Sequence, residues 1–195
     1  MGAGLQSHGM APLAPKERLA FLLLAGVLVL GGAIMSLLSA HVLTLLQARG
    51  VPLASAVAIG ALIGPSQVAT RVAEMAGGGR HHPLWTLTAA MILVAAGFAM
   101  LASGLPVVAL AVVLYGAGNG IYSIARGTVP LALFGPGRYP ALVGRLARPG
   151  LVAQALSPSI GAVVLTHAGP DATYAVLTVL ALGNVVLALS LWRVR

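Results

Sequence analysis

The chain has 195 residues, 59% of them hydrophobic and 7% charged, with a formal net charge of +8. That composition leaves too little polar surface to clothe a water-soluble domain, and the lack of cysteine excludes disulfides, haem thioether attachment and cysteine-ligated metal. A net charge of this size invites a nucleic-acid reading, but its placement argues against one, because the cations flank apolar runs instead of gathering in a patch.

In chain order, residues 1–18 read as a polar cytoplasmic segment closed by Lys16, Glu17 and Arg18. The apolar run that follows is longer than a cleavable signal core and is expected to remain as a span. It runs from Leu19 to Leu46 and carries Ser36, Ser39, His41, Thr44 and Gln47. A second run, Leu53 to Met75, holds Ser55, Ser66 and Gln67, and a third, Leu84 to Leu105, is bland apart from Trp85, Thr86 and Thr88. The fourth, Val107 to Leu133, bears Tyr115, Asn119, Tyr122, Ser123 and Arg126. Gln154, Ser157 and Ser159 lie in the fifth, Ala141 to Thr166, and Asn184 is the one amide of the sixth, Ala172 to Trp192. Residues 193–195 form a cytoplasmic tail. Each run is close to or above the ~20 residues that cross a ~30 Å hydrocarbon layer as a helix. The expectation is an all-α membrane protein with six transmembrane helices in one domain, residues 19–192, and no room for a separate catalytic domain.

The cations set an orientation. Lys16 and Arg18 precede the first run, Arg71 and Arg80 flank the second joint, Arg138, Arg145 and Arg148 surround the fourth, and Arg193 and Arg195 follow the last. Arg49 alone sits at an odd-numbered joint. This bias places both termini in the cytoplasm and predicts insertion in one orientation, so any homodimer would be parallel.

Polar groups in hydrocarbon must be satisfied by protein or by water in a cavity. Their distribution therefore predicts that spans one, two, four and five line an interior while spans three and six form an outer layer, giving two three-helix units with matching roles. With that division the chain, from about Lys16 to Arg195, resembles the carboxyl-terminal six-helix half of a major facilitator superfamily transporter. The stretches Gly60-Ala-Leu-Ile-Gly64-Pro65-Ser-Gln67-Val-Ala-Thr-Arg71-Val and Tyr115-Gly-Ala-Gly-Asn119-Gly-Ile-Tyr122-Ser-Ile-Ala-Arg126-Gly127 are similar to the corresponding parts of bacterial members associated with small organic-anion exchange. The resemblance implies a bacterial plasma membrane, inverted three-helix repeats and alternating access between two halves. The second half would come from a parallel homodimer, from a separate six-helix chain, or from the rest of a twelve-helix protein of which this is a fragment. The family's signature after the second helix has Asp before a basic residue; taking Arg71 as the basic position, Thr70 stands in place of the Asp.

Tyr115, Asn119, Tyr122 and Arg126 are spaced by four, three and four, which puts them on one helical face with Ser123 beside them. An amide, two phenols and a guanidinium facing a wet cavity suit a carboxylate or another oxyanion. The alternative is that Arg126 snorkels to lipid phosphates and that Asn119 and Tyr122 bond between helices. Gln67 and Gln154 are candidates for the cavity wall or for helix-to-helix bonds, and His41 for a proton-sensitive group or a packing residue. The spacings Gly60/Gly64 and Gly116/Gly120 predict close helix approach, and Pro65, Pro130 and Pro158 mark local breaks in the backbone ladder. Arg80-His81-His82 reads as a solvated joint and not as a metal site. The acidic residues, Glu17, Glu74 and Asp171, lie at or near helix ends, which disfavours proton symport by a buried carboxylate and favours anion uniport or exchange. No Gly-x-Ser-Gly element is present and Lys16 is the one lysine, so neither an enzyme nor a cofactor is expected. The competing class is a non-transporting membrane subunit that packs on a partner through its small-residue faces.

Overall fold

The structure is a computed structural model that describes residues 13–77 and 81–194; Arg80, Arg195 and most of the amino-terminal segment lie outside the described residues. Helix α1 spans Pro15–Ala48, α2 Leu53–Ala61, α3 Ile63–Ala76, α4 Pro83–Ala102, α5 Val108–Phe134 and α6 Tyr139–Val194. The described chain is all helical. Five stretches are long and apolar enough to cross a membrane: α1, α2 with α3, α4, α5 and α6. This differs from the six expected runs because residues 141–166 and 172–192 fall within the single element α6.

Local chemistry explains the helix boundaries. Pro15 opens α1 at a position whose N–H would be unpaired in any case, and Glu17 accepts from the Ala14 N–H at 2.9 Å. The second run breaks at Leu62, three residues ahead of Pro65, which has no N–H to offer the Ala61 carbonyl. At Gly169 the backbone takes φ 84° and ψ 177°, a conformation that disfavours any residue with a Cβ. A straight helix of 56 residues would measure roughly 84 Å, far more than a bilayer. Instead, both arms of α6 lie along α1. In the first arm, Gln154 and Pro158 meet Ser36 and His41, moving toward the end of α1. In the second, Tyr174 meets Leu45, and Gly183 and Leu187 then meet Leu30 and Gly26, moving back toward its start.

Polar content does not predict enclosure. The third run, expected in the outer layer, is the most enclosed: 61% of the most apolar window of α4 is buried, against 6% for α2 with α3. The cause is backbone proximity. A Cβ at Gly97 would lie 2.7 Å from the Ala111 carbonyl oxygen, and one at Gly118 would lie 2.6 Å from that of Ala90, so α4 and α5 meet with nothing larger between them. Inside a membrane it is such close packing that brings helices together. Among the polar groups of α4, Thr86 donates to Glu74 of α3 at 2.6 Å and Thr88 to the Leu84 carbonyl one turn back at 2.8 Å. The second arm of α6 buries Thr173, Tyr174, Leu177, Ala181, Asn184, Ala188 and Leu191 on one face and exposes Val179, Leu182, Val186 and Leu189 on the other.

Two sets of contacts close the ends of the bundle. At one end Arg138, in the joint after α5, reaches both carboxylate oxygens of Glu17 at 2.9 and 2.8 Å. At the same end Trp192 donates to Thr88 at 3.1 Å and meets Trp85 edge to face with centroids 4.8 Å apart. At the other end Arg49 pairs with Asp171 at 3.4 Å, reaches the Ala102 carbonyl at 3.4 Å and lies 4.6 Å from the centre of the Tyr174 ring. The Tyr174 hydroxyl donates at 2.7 Å to the Leu45 carbonyl. That oxygen has no helical donor, because the Arg49 N–H turns to Leu46 and Gln47.

A candidate ligand cleft between α5 and α6

A cleft of about 370 Å³ opens between α5 and the first arm of α6. Helix α5 contributes Tyr122, Ser123, Arg126, Gly127 and Pro130; α6 contributes Tyr139, Val143, Leu146, Ala147, Gly150, Leu151 and Gln154; Leu28 of α1 completes the wall. Arg126 is exposed and has no hydrogen-bond or ion-pair partner among the described residues. Pro130 follows it by four positions and cannot donate to the Arg126 carbonyl, so a guanidinium and a carbonyl without a helical donor share one wall.

Tyr122 and Gln154 are seated by two adjacent glycines of α1. A Cβ at Gly31 would lie 2.7 Å from the ring and hydroxyl of Tyr122, and one at Gly32 would lie 2.7 Å from the Gln154 amide nitrogen. The Tyr122 hydroxyl donates to the Leu28 carbonyl at 3.4 Å, and Ser123 donates to the Gly120 carbonyl at 2.6 Å. Pro158 removes the helical donor of the Gln154 carbonyl, and Ser36 of α1 replaces it at 2.7 Å. The break in the ladder is thus compensated next to the cleft.

Of the eight candidates named from the sequence, the structure brings Tyr122, Ser123, Arg126 and Gln154 together at the cleft. The other four lie elsewhere. Tyr115 is buried and meets Phe98 edge to face at 5.5 Å. Asn119 is buried facing a small void that it shares with Tyr115 and Asn184. The expected single-face stripe therefore divides, because α4 and α1 cover its first two residues and only its last two, Tyr122 and Arg126, line the cleft. Gln67 accepts from Arg71 within α3 at 3.4 Å, and His41 bonds the Pro158 carbonyl at 2.9 Å. Both join helix to helix or turn to turn and neither lines the cleft.

Thr70 donates to the Ala117 carbonyl of α5 at 3.0 Å, and neighbouring Arg71 reaches the Gly120 carbonyl at 3.4 Å. Gly116 and Gly120 make the expected close approach, a Cβ at Gly120 falling 2.5 Å from the Gln67 carbonyl oxygen, whereas Gly64 has nothing within 4 Å of its Cβ position. His82 accepts from the Leu84 N–H at 3.2 Å and caps α4. Sequence reading missed Gly31, Gly32 and Tyr139; the available signal was a Gly-Gly pair inside an otherwise bulky first span.

The arrangement offers one unpaired cation, the Tyr139 phenol and the Gln154 amide against apolar walls, while the Tyr122 and Ser123 hydroxyls already donate to backbone carbonyls. These groups are matched to a small anion with an apolar body. Comparison with protein-family models, with curated proteins and with solved structures returns no match.

Proposed function

We propose that this chain is one half of a major-facilitator-like carrier for small solutes, organic anions in particular, working by alternating access as a parallel homodimer or with a separate second half. The observation that carries this reading is the unpaired Arg126 guanidinium on the wall of a cleft of about 370 Å³, alongside Tyr122, Ser123 and Gln154. A guanidinium placed within an apolar span costs ~2.5–3.5 kcal/mol on insertion scales, and leaving it without a carboxylate keeps it available to an anionic ligand. In this reading α6 crosses the membrane twice, turning at Gly169, so that six crossings form two three-helix repeats with both termini in the cytoplasm. The antiparallel course of the two α6 arms along α1 supports the six crossings, and the cations gathered at the end of Glu17 and Arg138 support the orientation. The faces left over suit a second half: α2 with α3 is scarcely covered, and Leu151, Val152, Leu156, Ile160 and Val163 of α6 are exposed.

The test is uptake of radiolabelled mono- and dicarboxylates into liposomes that contain this chain alone. Saturable uptake that disappears in Arg126→Ala supports the carrier. Absence of uptake by the wild type, with Arg126→Ala assembling normally, favours a non-transporting subunit of a membrane complex.

A further inference from the structure

A second polar site lies deeper in the bundle, and the transport reading makes no use of it. Asn119 on α5 and Asn184 on the second arm of α6 are 6% and 1% exposed. The Oδ1 atom of each is buried and has no hydrogen-bond partner among the described residues. Both side chains line the same void of about 10 Å³, bounded also by Tyr115, Tyr122 and Gly31. A buried amide oxygen without a donor gives up the hydrogen bond it would make in water, and here two such oxygens belong to residues that line one void.

We propose that Asn119 and Asn184 form an acceptor pair that binds one water molecule, which donates a hydrogen bond to each amide oxygen and so ties α5 to the second arm of α6. Three observations converge on water as the ligand. The void holds about one water-sized sphere. The two unpaired atoms are both acceptors, and water has two donors to match them. A metal cation fits less well, because none of the residues around the void is a carboxylate and the chain already carries +8. Tyr122 belongs to both sites: it lines the cleft and bounds this void, so it is the partition that keeps the bound water apart from the ligand cleft.

The test combines a double-mutant cycle with direct imaging. Thermal unfolding of the full chain in detergent is compared for the wild type, Asn119→Leu, Asn184→Leu and the double variant, each leucine keeping the branched shape of the asparagine it replaces without its polar atoms. Each single variant is expected to lose roughly 3–10 °C, with the double variant losing clearly less than the sum because the shared water is already gone. Additive losses would overturn the proposal. High-resolution density of the wild type, which requires no variant to fold, should show a peak within hydrogen-bond distance of both Oδ1 atoms; none there would overturn it as well. Replacing choline by sodium in the buffer should leave the wild-type melting temperature unchanged, and a sodium-dependent rise would assign the site to a cation instead.

Discussion

Two arginines of this chain meet opposite fates. Arg49 is the one cation at its end of the bundle among the described residues, and its guanidinium is engaged by Asp171, the Ala102 carbonyl and the Tyr174 ring. It ties the ends of α1 and α4 to the bend of α6. Arg126, inside an apolar run, has no such partners and stands open to the cleft. Both lie beside helices rich in backbone carbonyls, so residue type does not account for the difference. What separates them is that three chain segments converge on Arg49, whereas α5 and α6 diverge around Arg126. One guanidinium serves assembly and the other has no hydrogen-bond or ion-pair partner among the described residues.

The sharpest way to break this comparison is an all-or-none labelling experiment, made clean by the absence of native cysteine. Ser123→Cys, on the cleft, should react with a membrane-impermeant thiol reagent, whereas Leu45→Cys, buried beside the Arg49 cluster, should remain unlabelled until the protein is denatured. Equal labelling of the two would remove the distinction between an open and a sealed end. Next in size is Arg126→Ala, which should reduce carboxylate uptake about 10- to 100-fold, the scale of one charge-assisted hydrogen-bond pair of about 1.5–3 kcal/mol. Its melting temperature should stay within a degree or two of the wild type, because no hydrogen bond or ion pair among the described residues is lost. Arg49→Ala should do the reverse, lowering stability by about 2 kcal/mol in an unfolding titration while the surviving folded protein still binds anions. The smallest effect is expected for Asp171→Asn: the Asp171 side chain is 87% exposed, so its removal should cost below about 1 kcal/mol. A larger loss would mean that the ion pair, and not the ring and carbonyl contacts, holds Arg49 in place.

The apolar runs were readable as helices because bilayer-length hydrophobicity is a local property of the chain. Breaks at Pro65 and around Gly169 were legible for the same reason, since a missing N–H and a missing Cβ act on their own neighbours. The order of enclosure was not legible. Counting polar side chains placed the third run outside, yet α4 is the most enclosed because Gly97 and Gly118 let backbones touch, and such a fit depends on the partner helix as much as on the glycine. The site was half legible. Helical spacing put Tyr115, Asn119, Tyr122 and Arg126 on one face, but a face of about three turns is long enough to meet different neighbours along its length.

Taken alone, the chain determined what depends on short range: which stretches are apolar and helical, where the backbone must yield, and on which side of each joint the cations gather. Tertiary structure decided what depends on distant pairs. It set Gly31 against Tyr122 and Gly32 against Gln154, gave the Gln154 carbonyl to Ser36, surrounded Arg49 and left Arg126 alone. The physical reason is that helix formation and hydropathy sum over neighbours in sequence, whereas a cleft or an ion pair is fixed by the relative placement of side chains that the chain carries a hundred residues apart.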